Sequence, residues 1–465
     1  MHRVSFTSFQ SLTHDRAPRW WRRVRSLSML STLMVSLGCH GLLDVSDPTL
    51  VQDKDIANAA GANARRLNVF VRFNGAAATL ANDVAIFTDE RTVDLPVGYL
   101  PDQYVYLDRR DSQGYEAQFL GFGTDDPHLG AWDDVFTKAS IAIPAVRSYT
   151  PDSLRGDYLA QLYAIRAYAV VQIAEDVCPG FPINDIVNNI PVYSAPFTTD
   201  SALKFALVQI DSALAEAQDS TQYVNFANVL KGRVLLDLGQ YSEAAAAVAN
   251  VPATFTYSVG GGGDLGNNIF AGQYYAWDVN SGGTNEQFAV GNQEWGNGMP
   301  FVSAQDPRVG TLYYQTRYSN PADSLYDQTK YGLNDPMIIA SGLEAQLIQA
   351  EAALNAGDIS GWLGILNALR ANVTPAMTAL TDPGTTNSRV DLMYSERAFW
   401  LYLTAHRLGD LRRLIRNYGR APESVFPTGP YPMFGQQYGT ATAIPFIQSS
   451  EARYNPQITS GCTTR

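Results

Sequence analysis

Two stretches of this chain spell the same short pattern, a helix, a tight glycine turn and a second helix, and nothing else constrains the fold as much. The first is Leu230-Lys231-Gly232-Arg233-Val234-Leu235-Leu236-Asp237-Leu238-Gly239-Gln240-Tyr241-Ser242-Glu243-Ala244, and the second runs from Leu347 through Ala350-Glu351-Ala352-Ala353-Leu354-Asn355-Ala356-Gly357-Asp358. Small Gly232 stands where two helices would touch, Gly239 at the turn, and Ala244 where the second helix packs back. A hairpin of this size cannot hide its own apolar stripe, so neighbours must stack against it. The copies lie well over one repeat length apart, which disfavours a regular solenoid and implies inserted material.

The rest of the chain fits that reading. Trp132, Phe136, Ala139 and Ile143 recur at helical spacing, and Leu159, Leu162, Tyr163, Ala167, Val170, Val171 and Ala174 form a second amphipathic run, stopped by Pro179-Gly180-Phe181-Pro182. A further helix is predicted from Thr199 to Ala217, capped by Thr198, Thr199 or Asp200, and another from Val390 to Arg416. The main insertion spans about 254–341 and is rich in Gly, Asn, aromatic residues and turn dipeptides. It reads as loops and small hairpins on a helical scaffold of about 50–250 and 342–418, where binding residues are commonly displayed. The fold class is mainly α, with few short strands.

At 46% hydrophobic and 17% charged residues the body is a packed globular protein. A net charge of −12 disfavours nucleic acid as a partner, because the phosphate backbone would be repelled. Charge is unevenly placed: residues 1–38 carry six Arg and one Asp, and the uncharged apolar run Leu27 to Leu37 follows the basic stretch. This is the n-region and h-region of an export signal, and the run is too short to cross a bilayer as a helix. Leu37-Gly38-Cys39 resembles the lipobox of bacterial lipoproteins, with Ser36 where that box prefers Leu. Cys39 is then a lipid anchor that follows a signal peptide over 1–38, with 39–465 as one mature domain; a secreted protein without lipid is the alternative. Two cysteines remain, Cys178 and Cys462. In an exported chain they are predicted to form a disulfide tying the C-terminal tail to the body, although two free or buried thiols fit the sequence as well.

Chemistry is sparse. The mature chain holds only His40, His128 and His406, with no His/Cys pair at ligand spacing, so no metal or cofactor site is predicted. His406 reads as part of an ion-pair cluster within a helix beside Glu396, Arg397 and Arg407. No Gly-x-Ser-x-Gly elbow is present, and Gly260-Gly261-Gly262-Gly263 lacks the Gly-Lys-Ser/Thr of a phosphate loop. Asp125-Asp126 and Asp133-Asp134 are adjacent acids, which does not make the facing pair that glycoside hydrolysis needs.

Gln305-Asp306-Pro307-Arg308, Lys330-Tyr331, Leu366-Asn367-Ala368-Leu369-Arg370 and, most telling, Ser395-Glu396-Arg397-Ala398-Phe399-Trp400-Leu401-Tyr402-Leu403-Thr404-Ala405-His406-Arg407-Leu408-Gly409-Asp410-Leu411-Arg412-Arg413 stand in an order that resembles the SusD/RagB family over nearly the whole mature chain. The resemblance implies a superhelix of tetratricopeptide-like hairpins supporting a loop-rich face, anchored by lipid at the cell outer membrane. It also implies capture of oligosaccharides or peptides for a SusC-like TonB-dependent porin, without a catalytic centre. A structural lid or adaptor of the porin, with no glycan binding of its own, is the alternative.

Sugars are held by stacking of their CH faces on aromatic planes while amides bond the hydroxyls. Candidate contacts are therefore Tyr274, Tyr275 and Trp277 in Gln273-Tyr274-Tyr275-Ala276-Trp277-Asp278, and Trp295 in Asn292-Gln293-Glu294-Trp295-Gly296-Asn297, with Tyr99 and Tyr104 from an earlier loop. The competing expectation is that these rings pack beneath the loops. Trp132, Trp362 and Trp400 fall on predicted helices and are assigned to the core.

Overall fold

The computed structural model describes residues 56–94, 103–122, 127–217, 220–260, 288–317, 320, 322–332 and 334–463. A long first helix, α1 (Ala59–Phe87), begins where the Asn58 side chain accepts the amide of Gly61 at 3.0 Å. Two short helices follow, α2 (Gln103–Asp108) and α3 (Ser112–Phe122), and then the antiparallel pair α4 (Pro127–Tyr149) and α5 (Asp152–Asp176). The periodic residues named above face inward: Trp132, Phe136, Leu159, Leu162, Ala167 and Val170 are all buried. Phe73 of α1 and Trp132 of α4 meet edge-on or tilted around Tyr168 of α5, with ring centroids 5.3 and 5.6 Å from it. Helix α6 (Thr199–Glu216) starts with a capping box in which the Thr198 and Ser201 hydroxyls each satisfy the other residue's amide.

The first glycine hairpin is α7 (Thr221–Asp237) and α8 (Tyr241–Val248), and the second is α9 (Gly342–Asn355) and α10 (Ile359–Ala371). Gly239 and Gly357 turn with φ of +72° and +77°, a region that only glycine enters freely. Gly232 is needed for space: a Cβ there would sit 2.5 Å from Val248 Cγ1 and 3.1 Å from Ile348 Cδ1, because α7 lies against both α8 and α9. The hairpins therefore stack on each other although their turns, at Gly239 and Gly357, lie 118 positions apart in sequence.

The predicted helix from Val390 to Arg416 is two helices. Helix α11 (Thr386–Trp400) ends in a turn where Leu403 and Ala405 have φ of +53° and +59°, and α12 (Arg407–Tyr418) starts with His406 as its N-cap residue. Two short helices close the chain, α13 (Pro422–Val425) and α14 (Gln448–Tyr454). Cys178 and Cys462 are joined by a disulfide, with Cα atoms 5.3 Å apart.

Among the described residues, strands occur as four antiparallel pairs: β1 (Arg91–Val93) with β5 (Phe288–Val290), β2 (Asp185–Val187) with β3 (Ile190–Val192), β4 (Thr256–Val259) with β8 (Met337–Ser341), and β6 (Thr311–Thr316) with β7 (Ser324–Gln328). The β4–β8 pair matters most for architecture. It matches Thr256 with Ser341 and Val259 with Met337, so the insertion leaves and returns through one closed neck. Tyr257 fixes that neck to the helices by stacking on Phe226 of α7, with centroids 4.0 Å apart.

The motif Ser395 to Arg413 supplies a buried ionic core. Arg397 grips Asp410 through two bonds of 2.8 Å, and Arg413 reaches Glu351 of α9 at 3.0 Å and Asp237 of α7 at 2.9 Å. One guanidinium thus holds both glycine hairpins to α12. Burial would raise the Asp410 carboxyl, but Arg397 and Arg413 overcome it and hold it well below the usual range.

Candidate functional site

Two aromatic segments flagged in the sequence each have one end at the same pair of strands. Strand β1 ends at Val93, just before the segment that carries Tyr99, and β5 begins at Phe288, just after the segment that carries Tyr274, Tyr275 and Trp277; in register, Val93 lies opposite Phe288. Tyr99, Tyr274, Tyr275 and Trp277 themselves lie outside the described residues, as do Cys39 and Asp125-Asp126. Tyr104, on α2, is half-buried and meets Phe288 edge-on at 4.9 Å, so it braces β5. Trp295 sits in the single turn Glu294–Gly296 that follows β5.

This platform is pinned from below. Gly291 carries the chain out of β5 so closely over Asp89 that a Cβ would stand 2.2 Å from its carbonyl oxygen, and the Gly291 amide donates to Glu90 O at 3.0 Å. Asp89 accepts two bonds from Arg407, at 2.7 and 2.8 Å, and a third from the Met299 amide at 2.7 Å. Arg317, beyond β6, donates to the Val93 carbonyl at 3.2 Å and to Asp323 at 2.8 Å, which ties the β6–β7 hairpin to β1. Asp108 accepts the Val93 amide and the Tyr431 hydroxyl, both at 2.8 Å. Burial, helped by the nearby Glu294 carboxyl, pushes Asp108 up to about 7. The β6–β7 hairpin beside β5 leaves Leu312 and Tyr313 exposed, at 62% and 54%, the Tyr313 ring edge-on to Tyr326. Position thus favours ring stacking and hydrogen bonding here; sequence reading missed Leu312 and Tyr313, although Gly310 and Gln315 flank them.

The catalytic-looking groups are spoken for elsewhere. Asp133 accepts the Asn184 amide at 3.1 Å while Asp134 faces Arg72 and Lys138, so these neighbours do not oppose each other across a cleft. His128 is fully buried between Asp83 and Asp176; burial would lower it, but the two carboxylates raise it to about 9. His406 lies at the corner between α11 and α12, with Arg233 and Glu344 as its charged partners in place of Glu396 and Arg397. Its Nδ1 meets the Thr404 carbonyl at 2.7 Å, which assigns the proton there and leaves Nε2 to accept from Arg233. Burial and Arg233 lower its pKa, so the ring stays neutral. Among the described residues no group of three or more His, Cys, Asp or Glu could hold a metal ion, and no helix is long and apolar enough to cross a membrane. A cleft of about 950 Å³ beside the disulfide is lined by Arg412, Arg416 and Asp200, and among the described residues no flagged aromatic residue lines it.

No family profile and no curated protein matches the sequence. Solved structures do resemble it. A SusD superfamily protein from Bacteroides thetaiotaomicron aligns with a TM-score of 0.61 at 14% identity, covering 86% of this chain and 97% of that one. NanU of B. fragilis aligns at 0.57 and 14%, covering 90% and 99%. A SusD-like carbohydrate binding protein from Bacteroides vulgatus aligns at 0.53 and 12%, covering 77% and 83%. Likeness over that share of the chain, at so low an identity, establishes a common fold.

Proposed function

From the SusD-like fold that the chain adopts, we propose that it is a cell-surface lipoprotein that captures oligosaccharides and delivers them to a SusC-like TonB-dependent porin, without cleaving them. The observation that supports this most is that the segments bearing Tyr99 and Trp277 each have one end at the β1–β5 pair, on a base held by buried ion pairs. A fixed base lets rings from separate loops present their faces together, the geometry that sugar stacking requires. One of the structural neighbours is described as a carbohydrate binding protein. Cys39 is the acylation site in this reading, and Trp277 and Trp295 are the principal contacts.

Calorimetry on the chain from residue 39 onward, against a set of oligosaccharides, tests it. Reversible binding, lost in Trp277→Ala or Trp295→Ala with no reducing ends released, is the expected result. Failure to bind any glycan favours the lid or adaptor reading, for which the exposed apolar hairpin β2–β3, with Ile190 64% and Val187 49% accessible, is the supporting feature. Palmitate labelling that disappears in Cys39→Ser tests the anchor.

A further inference from the structure

A second cavity, of about 370 Å³, opens among β8, the start of α9 and the corner between α11 and α12. None of its lining residues belongs to the β1–β5 platform. Much of its wall is apolar, from Phe255, Ile338 and the ring of Trp400, which is half-buried at the edge of the core and lines the cavity. Its volume is that of a pocket for a small organic molecule.

The charges around it are unequally satisfied. Arg308 is neutralised by Asp306 at 2.6 Å and Glu396 at 2.7 Å, and Glu344 is matched by Arg233 at 2.7 Å. Lys330 differs. Its ammonium donates to the Tyr402 carbonyl, and among the described residues no carboxylate lies within 4.0 Å of it. Glu90, the acid that acts on it from further off, is pushed by burial up to about 8 and is mostly protonated at neutral pH. A second donor, the buried indole N–H of Trp400, has no hydrogen-bond acceptor among the described residues. An ammonium with one neutral acceptor and two spare hydrogens, in an apolar cavity, lacks a counter-charge.

We propose that this cavity binds a small organic carboxylate with an apolar or aromatic body, the carboxylate accepting from Lys330 and the body lying against Trp400 and Phe255. An anion there restores the missing charge partner and fills apolar space in one step. The neutral His406 adds no opposing or competing charge, and Arg233 offsets Glu344. Glycan binding at the platform plays no part in this assignment.

Naphthalene-2-carboxylate and its neutral analogue naphthalene-2-carboxamide, titrated into the full chain by calorimetry and saturation-transfer NMR, distinguish the outcomes. The carboxylate is expected to bind at least about tenfold more tightly than the amide, and its advantage to shrink as pH rises through 8, where burial places the Lys330 ammonium. Lys330→Met, which keeps the apolar stem, is expected to erase the difference, and Trp400→Phe to weaken both ligands. Equal affinity for acid and amide in the wild-type chain, no binding of either, or an undiminished preference in folded Lys330→Met each overturns the proposal. Should Lys330→Met not fold, the wild-type comparison of acid with amide decides alone.

Discussion

Asp89 and Arg407 stand 318 positions apart in the chain and meet in a buried two-point contact of 2.7 and 2.8 Å. That pair joins the end of the first helix to the start of α12, and through the Met299 amide it also holds the segment after β5. Replacing Arg407 with Met leaves Asp89 charged and unpaired in the interior, at a cost of about 3–5 kcal/mol. Chemical denaturation should show that loss, and the double variant Asp89→Leu/Arg407→Met should recover part of it. Equal stability of Arg407→Met and wild type would remove the pair from the account of the platform.

Gly232→Ala tests the hairpin stack. Alanine raises helix propensity by about 1 kcal/mol over glycine in a helix interior. The added Cβ must displace Val248 and crowd Ile348, and overpacking of this kind costs about 1–3 kcal/mol. A net destabilisation is expected, larger for Gly232→Val; a gain in denaturation midpoint for either would mean that α7 and α8 part without cost.

Acid should first stabilise the protein and then unfold it. Asp108 and Glu90 titrate in the folded chain at about 7 and about 8, raised by burial above their unfolded values. The stability linked to their protons is fully present below the unfolded values near 4 and is lost as pH rises through 7 and 8. Glu344 works in the opposite sense. Burial would raise it, but Arg233 holds it at about 2, so its contribution is present above 4.5 and lost as pH falls towards 2. Thermal midpoints should therefore rise from pH 8.5 to about 5.5 and fall below about 4, with Asp108→Asn flattening the upper limb. A midpoint that climbs steadily from pH 5 to 8.5 is the contrary result.

The disulfide closes a loop between residues 284 positions apart. Constraining so long a loop in the unfolded chain is worth several kcal/mol, and loss of a native bridge costs about 2–5 kcal/mol. Cys178→Ser/Cys462→Ser should melt at lower temperature than the oxidised protein and coincide with wild type under reductant. A variant as stable as the oxidised protein would make the bridge incidental.

Periodicity carried the helical part of the fold. Trp132, Phe136, Ala139 and Ile143 recur at three and four residues, and the solvent-averse face of a helix follows from spacing alone. The break at Leu403 and Ala405 was not legible, since two residues with side chains occupy left-handed backbone there and no glycine marks the turn. Nor was the true partner of His406, because Arg233 and Glu344 reach it from 173 and about 60 positions away. The motif from Ser395 to Arg413 pointed to a fold, and its charges prove to be the ionic core of that fold. For the platform, sequence composition drew attention to the loops, and only the pairing of β1 with β5 put their roots together. Helical setting assigns Trp400 to the core; it packs against the core's edge at the end of its helix and also lines a cavity.

The closed neck formed by β4 and β8 has a consequence for how such proteins can change. The span between Val259 and Met337 leaves and returns through four residue pairs, and it is tied back to the frame by β5 on β1, the Met299 amide on Asp89, Arg308 on Glu396 and Lys330 on Tyr402. Natural variation, or an engineer, can therefore change length within that span without altering the neck's own register, provided the stretches that carry β5, Met299, Arg308 and Lys330 keep their hold on the frame.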